Sequence, residues 1–246
     1  GIKLLFGYSH KNSGILSAGN APAMRVSVLG LLCEDNVKLK EFVKRATYIS
    51  HKDSKAYRGA LAIAVAAKLA GENKKVNPNS FLEIFDNIND SKCEEFDEIL
   101  NKTIQSVNSK QSTINFAESL GLSNGVTGYI YDTVPIAIHT WLSNQDDFQT
   151  GLINTIQCGG DTDTVGSIVG SLIGIQVGAD KIPANWRKGL FDYPLNEASL
   201  KKIANNTYNR SIIKELCIFP FRQTLLFILI ISHIIYRAVG IVILKK

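Results

Sequence analysis

Hydrophobic residues recur along this chain mainly at intervals of three and four positions, the spacing that places side chains on one face of an α-helix. Two stretches show this periodicity most clearly: Val37, Leu39, Phe42, Val43, Ala46 and Ile49 in one, and Phe96, Ile99, Leu100, Ile104 and Val107 in the other. Alternating segments joined by tight Asn-Gly or Asp-Gly turns are nearly absent, and the one candidate turn, Asn124-Gly125, lacks two good flanking strands. The pattern predicts an all-α fold. Because neither a repeat nor a long polar linker interrupts it, we expect one domain over residues 1–246.

Local start and stop signals support the helical interpretation. Ser54 is expected to cap an Ala-rich helix over residues 56–70, which stops at Gly71. Pro183 is expected to open a short helix that runs through Trp186 to Leu190.

Two apolar segments have the composition of membrane helices, but their lengths and flanking residues favour other interpretations. Residues 165–179 carry glycines at four-residue spacing, which would let a neighbouring backbone approach one helix face. This segment is shorter than the about 20 residues that a bilayer span needs, so we expect a helix buried in the bundle. The second segment lies in an apolar C-terminal helix predicted over residues 221–244, and it is bracketed by Arg222 and Arg237. A membrane partner is therefore not expected, with a peripheral or membrane-anchored tail kept as the alternative.

Composition and charge exclude several classes of protein. The chain has 246 residues, of which 45% are hydrophobic and 20% are charged, so a disordered or low-complexity chain is excluded. Its net charge of +5 comes from scattered Lys and Arg residues rather than from a basic run with aromatics, which gives no support for nucleic-acid binding. The four cysteines lie far apart without a Cys-x-x-Cys pair, which argues against a zinc ribbon or a disulfide framework and favours the cytoplasm.

The stretch that carries the most chemistry is Gly-Gly-Asp-Thr-Asp-Thr-Val over residues 159–165. Asp161, Asp163 and Thr164 would bring three oxygen donors to the start of a helix, directly after a glycine turn. Oxygen-only donors suit Mg²⁺, Mn²⁺ or Ca²⁺ better than zinc. The simpler alternative is that one aspartate only caps the helix, which is the commonest role of Asp at that position. The residues alone leave both interpretations open.

This run, followed by a small-residue helix and Ile182-Pro183, resembles the C-terminal motif of the ADP-ribosylglycohydrolase family. Other segments resemble the same family: residues 17–25 (SAGNAPAMR) its S-A-G-N-G-x-A-M-R loop, residues 49–51 (ISH) its T-H segment, and residues 128–135 (GYIYDTVP) the helix before the aspartate motif. The apolar tail, residues 221–237, is similar to a closing helix of bacterial members. The resemblance implies an orthogonal multi-helix bundle.

The resemblance also implies a metal-dependent hydrolase that removes ADP-ribose from a modified protein or a small acceptor. Two Mg²⁺ ions, or Mn²⁺ in some members, would hold the ribose in such a fold. By matching positions, Asp161 and Asp163 would be catalytic, and these two residues with Thr164 would ligate the metal. The residues expected to bind the ADP-ribosyl group are Ser17, Gly19, Asn20 and His51.

Several of these residues also have structural interpretations. Asn20 could occupy a left-handed turn, Arg25 could form a buried ion pair, and His51 could cap the preceding helix. The remaining histidines have no second ligand three or four positions away, so structural or surface roles are expected for them: His10, His139 and His233.

Two departures from the family pattern bear on this prediction. The Gly-Asp-x-x-Gly segment and the Thr-Asp-Asp-Thr motif, which would supply the other half of the metal ligands, do not occur in the chain, and Asp146-Asp147 is not accepted as a substitute. Ala21 replaces a glycine of the Gly-Asn-Gly turn. We therefore expect an N-terminally incomplete domain whose missing segment lies upstream or on another polypeptide. The alternative is a catalytically incomplete member that acts as an ADP-ribose-binding or structural protein.

Overall fold

The computed structural model of the protein describes residues 7, 9, 13–72, 75–89, 92–189, 196–205 and 212–244. Regular structure within these ranges is helical, and extended residues pair only as three isolated bridges. The predicted all-α fold is therefore confirmed. The chain divides into two compact units, residues 1–183 and 184–246, each of which is described by itself. A single domain over residues 1–246 stays a prediction.

The helices of the first unit follow one another through short connections. They are α1 (Ser27–Leu32), α2 (Asn36–Tyr48), α3 (Ser54–Ala70), α4 (Pro78–Ile88), α5 (Glu94–Asn108), α6 (Thr113–Ser119), α7 (Ile130–Ser143), α8 (Phe148–Gln157) and α9 (Thr162–Val177), with 3₁₀ turns at Ala23–Arg25 and Ala179–Lys181. Helices α3, α7 and α9 contact one another at the centre, α1 and α2 pack on α3, α5 packs on α7, and α8 packs on α9.

Helix α3 can lie at the centre because its small residues are buried on all sides and let other helices approach closely. At one crossing, a Cβ added to Gly30 of α1 would lie 2.0 Å from the backbone oxygen of Ala64. The prediction that Ser54 caps this helix is wrong. Asp53 is the cap, because its carboxylate accepts a hydrogen bond of 2.8 Å from the backbone N–H of Lys55. The helix ends at Gly71, as predicted.

The two hydrophobic stripes form helices, but the first is only partly buried. Leu39 and Val43 of α2 are fully buried, whereas Val37 is 70% exposed and Phe42 is 42% exposed. Thr47 takes the next place on the buried face, and its hydroxyl donates a hydrogen bond of 2.8 Å to the Val43 carbonyl. A threonine can be buried when its hydroxyl donates a hydrogen bond to a backbone carbonyl of its own helix. A search for apolar positions alone does not find such a residue.

The second stripe lies in α5, where Phe96, Leu100 and Ile104 are buried and Ile99 and Val107 are partly buried against the core. This stripe is confirmed as the inner face of its helix.

The glycine-striped helix α9 is buried in the bundle, as predicted. The expected close approach of a neighbouring backbone is wrong, because the atoms nearest to Gly166, Gly170 and Gly174 are the side chains of Phe148 and Leu152 on α8. The missing Cβ atoms provide room for a ring and a branched side chain rather than for a peptide backbone.

Two of the three remaining histidines lie within the described residues. His139 is fully buried on α7, where its ring stacks on Phe116 with 4.6 Å between centroids and contacts the hydroxyls of Ser106 and Thr113. This is the structural role expected for it, and His233 is exposed as expected. His10 lies outside the described residues.

The second unit contains α10 (Ala184–Lys188), α11 (Glu197–Ala204) and α12 (Ile212–Leu244). Helix α10 follows Pro183 as predicted but ends at Lys188, and Leu190 lies outside the described residues.

The apolar tail lies inside the long helix α12, which begins before the predicted start at residue 221. The segment Phe219–Arg237 is long and apolar enough to cross a membrane, judged by length and composition alone. This is weak evidence, because core helices of soluble proteins can have the same length and composition. Its side chains are exposed, with Arg222 half-buried.

Candidate functional site

The loop that contains Ser17, Gly19 and Asn20 is fixed to the segment before α7 by backbone hydrogen bonds. The Asn20 N–H donates to the Gly128 carbonyl at 3.0 Å, and the Ile130 N–H donates to the Ala18 carbonyl at 2.9 Å. These bonds place the loop beside the start of α7.

The same segment continues to the acidic loop before α9. The Val126 N–H donates to the Gly159 carbonyl at 3.1 Å, and the Asp161 N–H donates to the Val126 carbonyl at 2.7 Å. Glycine is needed at Gly160, which has φ +76°, because a Cβ there would lie 2.1 Å from the Val126 oxygen. Its partner Gly125 has φ +106° and is as closely packed. This contact between backbones positions Asp161.

A third connection brings in the segment after α2. The Lys52 N–H donates to the Ile15 carbonyl at 2.8 Å, and the Ile15 N–H donates to the Ser50 carbonyl at 3.0 Å. His51 therefore lies beside the loop that leads to Gly19. Four segments far apart in the sequence meet at one end of the helical bundle.

The Asn20 side chain joins the two motifs that carry the predicted chemistry. Its Nδ2 donates a hydrogen bond of 2.7 Å to Asp161 Oδ2 and one of 2.8 Å to Thr133 Oγ1. Asn20 is 8% exposed, and Thr133 is fully buried at the start of α7. The Thr133 hydroxyl donates in turn to the Thr127 carbonyl at 3.1 Å. The amide of Asn20 is thereby fixed in orientation by two acceptors.

Asp161 is the residue that precedes α9, and its carboxylate interacts both with Asn20 and with the first turn of this helix. Partial burial opposes ionisation of the carboxyl group, but hydrogen bonds from Asn20 and from Thr164 outweigh it and hold the pKa of Asp161 below its ordinary value. Asp163 and Thr164 lie near enough to Asp161 to influence its pKa, and the Thr164 N–H donates to Asp163 Oδ1 at 3.0 Å. Asp163 is exposed, whereas Thr164 is buried.

His51 packs against Gly19 of the Gly19–Asn20 loop. Its Nε2 would be 2.9 Å from a Cβ added at Gly19, so the imidazole is packed directly against this glycine. Burial, with a smaller contribution from the positive charge of Arg25, lowers the pKa of His51 below its ordinary value. This shift favours the neutral form of the ring. Ser17 lies in the same loop and is half-buried.

The structural alternatives for these residues do not hold. Asn20 and Ala21 do not have positive φ, since Lys110 is the one non-glycine residue of the described ranges that does. Ala21 therefore adds no backbone strain to the loop. Among the residues that the structure describes, Arg25 forms no ion pair and donates instead to the Ser50 hydroxyl, and the His51 ring contacts Ser50 instead of a helix end.

The sequence motifs did not predict Thr133, Ser50 or Arg25 as residues of the site. All three residues lie in segments that resemble the family. Only the folded chain shows that the hydroxyls of Thr133 and Ser50 contact Asn20 and His51.

Asp161, Asp163 and Thr164 are the residues that could hold a cation. Two carboxylates and a hydroxyl suit a hard divalent cation, which takes six or more oxygen ligands, so most of the ligands would have to come from elsewhere. Across the described residues there is no group of three or more His, Cys, Asp or Glu side chains that could hold a metal ion. The residues present thus fit part of a metal site.

An all-helical body with an acidic loop closed against an Asn-bearing loop is the arrangement that the sequence resemblance implies. The model of the ADP-ribosylglycohydrolase family matches residues 3–215, and the chain belongs to this family. The match ends before the segment Phe219–Arg237, so it does not include the similarity expected for the apolar tail.

Curated relatives and a solved structure agree with the family match. Human ADP-ribosylhydrolase ARH3 is 24% identical over 210 residues, which covers 72% of this chain and 55% of the relative. ADP-ribosyl-(dinitrogen reductase) glycohydrolase of Rhodospirillum rubrum is 40% identical over 60 residues, or 24% of this chain and 20% of the relative. A solved "ADP-ribosylglycohydrolase-related protein complex" has a TM-score of 0.50 at 21% identity, covering 77% of this chain and 66% of that chain, and it shares the fold. The chain spans about half the length of the ARH3 relatives it matches.

Proposed function

We propose that this chain holds an ADP-ribosyl group between the loop of residues 17–20 and the start of α9, and that it hydrolyses the glycosidic bond to a protein or a small acceptor. The observation that carries this proposal is the 2.7 Å hydrogen bond between Asn20 and Asp161, which joins two motifs 141 positions apart. Membership of the ADP-ribosylglycohydrolase family supports the ADP-ribosyl substrate.

In this proposal, Asp161 supplies negative charge beside the anomeric carbon. Cleavage of a glycosidic bond builds positive charge at that carbon, and a carboxylate that stays ionised stabilises it. Asn20 keeps Asp161 ionised, as the lowered pKa of Asp161 indicates. Asp163 follows two residues later and is exposed, and in this proposal its carboxylate is the base that accepts a proton from the attacking water. Ser17, Gly19 and His51 bind the sugar from the opposite side.

We further propose that Asp161, Asp163 and Thr164 hold Mg²⁺, with Mn²⁺ as the alternative. When bound, such a cation would orient the ribose and lower the pKa of a water molecule near the anomeric carbon. The chain's own contribution is to keep both carboxyl groups and the Thr164 hydroxyl together at the start of α9, as the interactions of Asp161 support.

The test is release of ADP-ribose from ADP-ribosylated arginine and serine peptides in the presence of MgCl₂, together with calorimetric titration of ADP-ribose. Asp161→Asn should abolish release, because it removes the charge and keeps the shape. Asp180→Asn is the matched control, since Asp180 is an exposed aspartate just after the other end of α9. Equal loss of release in both variants would contradict the assigned role of Asp161.

A second candidate function is ADP-ribose binding without turnover. It is favoured by the missing third acidic or histidine ligand within the described part of the chain. Heat of binding without release of ADP-ribose would establish it, and neither heat nor release would leave a structural or interaction role. A cytoplasmic location is proposed with either function.

A further inference from the structure

A row of polar contacts leads to His51 from Arg25 and Ser50, two residues that are not themselves expected to touch a ligand. Arg25 Nη2 donates a hydrogen bond to Ser50 Oγ. The same oxygen lies 2.9 Å from His51 Nδ1 and 3.4 Å from the Thr47 carbonyl oxygen. These groups decide which nitrogen of His51 carries its hydrogen.

Counting donors leaves two arrangements, because the Ser50 hydroxyl can donate either to the Thr47 carbonyl or to His51 Nδ1, and the lengths of the two contacts select one of them. A guanidinium group only donates, so the Ser50 oxygen accepts from Arg25 and keeps one hydrogen of its own to give. Its two acceptors are His51 Nδ1 and the Thr47 carbonyl, and the shorter contact is with His51. When Nδ1 of a neutral imidazole accepts a hydrogen bond, the ring hydrogen is on Nε2.

Burial and Arg25 both lower the pKa of His51, which favours the neutral ring. A protonated ring would have to place its Nδ1–H against a hydroxyl that already accepts from a cation. The positive charge of Arg25 on the same hydroxyl therefore disfavours the imidazolium.

The Nε2 end of the ring lies against Gly19, where a Cβ would come within 2.9 Å of Nε2. Only a residue without a side chain leaves this nitrogen open to a ligand in the loop. Arg25 and Ser50 would thus fix the imidazole hydrogen of His51 on Nε2. Gly19 would leave that N–H accessible to a ligand.

We infer that Arg25 and Ser50 are positioning residues that hold His51 in the Nε2–H tautomer, so that His51 offers a hydrogen-bond donor beside Gly19 and does not act as a base. The nature of the ligand rests on the proposed function: the donor would suit an oxygen of the ribose or of the pyrophosphate. The tautomer itself does not depend on that function.

The test is ¹⁵N NMR of the full chain with labelled histidine, in which the His51 signals are identified by comparison with His51→Gln. The wild-type protein at pH 7 should show hydrogen on Nε2. Ser50→Ala should give a mixture of tautomers, whereas Ser50→Thr, which keeps the hydroxyl, should restore the single tautomer. Ser119→Ala is the matched control, because it removes a serine hydroxyl that bonds only its own helix.

Binding of ADP-ribose provides the second measurement. Ser50→Ala should weaken it about fivefold to tenfold, the effect of misplacing one hydrogen bond, and Ser50→Thr should not. Hydrogen on Nδ1 in the wild-type protein would overturn the inference, and so would an unchanged tautomer in Ser50→Ala. The wild-type spectrum decides the question even if Ser50→Ala does not fold. Failure of every variant and of the wild type to bind ADP-ribose would overturn the proposed function and leave the tautomer result intact.

Discussion

The hydrogen bond from Asn20 to Asp161 leads to a quantitative prediction. Asn20→Ala removes one bond to an ionised carboxylate, about 1.5–3 kcal/mol, and one to the neutral hydroxyl of Thr133, about 1 kcal/mol. Both distances are short and Asn20 is nearly buried, so neither bond is easily replaced by water. We expect Asn20→Ala to lower the free energy of unfolding by about 3 kcal/mol.

A double-mutant cycle separates the two bonds. The coupling between Asn20→Ala and Asp161→Ala should be about 2 kcal/mol at pH 7, because only the charged bond is shared by the pair. The assay is urea unfolding followed by the fluorescence of buried Trp141 in a Trp186→Phe background. Because the pKa of Asp161 is lowered in the folded protein, the coupling is present above the unfolded pKa of the carboxyl group and is lost as the pH falls through the folded value.

Two variants serve as controls. Thr133→Val should cost less than Asn20→Ala and should leave the coupling between Asn20 and Asp161 in place. Asn101→Ala removes an exposed asparagine whose amide bonds only its own helix, and it should change stability little. A coupling energy below about 0.5 kcal/mol at pH 7 would refute the reasoning, since independent sites already add to within that amount.

Three further predictions concern other parts of the molecule. Burial lowers the pKa of His139 to about 4, so between pH 6.5 and 4 the unfolded chain binds a proton that the folded chain does not. Between pH 7 and pH 5, the free energy of unfolding measured in urea should fall by about 2 kcal/mol more for the wild type than for His139→Gln. His233→Gln is the control, and an equal dependence of the free energy of unfolding on pH in wild type and His139→Gln would contradict the prediction. Gly19→Ala should push the His51 ring away and weaken calorimetric ADP-ribose binding about tenfold while the circular dichroism spectrum is unchanged; unaltered affinity would show that the ring can move freely. Removal of residues 216–246 should reduce self-association in size-exclusion chromatography, because the exposed apolar segment Phe219–Arg237 is removed, and a monodisperse full chain would count against it.

The sequence was sufficient to predict the helical elements but not the details that depend on packing. The stripe from Phe96 to Ile104 identified a buried face correctly, because periodicity records which side meets the core. The sequence alone did not determine whether Asp53 or Ser54 caps α3. Both residue types cap helices well, and which of them does so depends on the backbone geometry.

The site divides in the same way. Asp161 and Asn20 could be selected from their motifs, but their mutual hydrogen bond depends on how four segments cross at the end of the bundle. No local pattern predicts that Arg25 would reach Ser50, because the two residues lie on different elements. Long-range polar contacts of this kind are set by tertiary packing, which a single sequence does not display.

The touching backbones at Gly125 and Gly160 have a consequence for how this protein can change. A methyl group at either position would act as a wedge that pushes the first turn of α9 outward while the core beneath remains intact. Loss-of-function screens should therefore recover substitutions at these two glycines in well-expressed, folded protein, even though neither glycine has a side chain with which to touch a ligand.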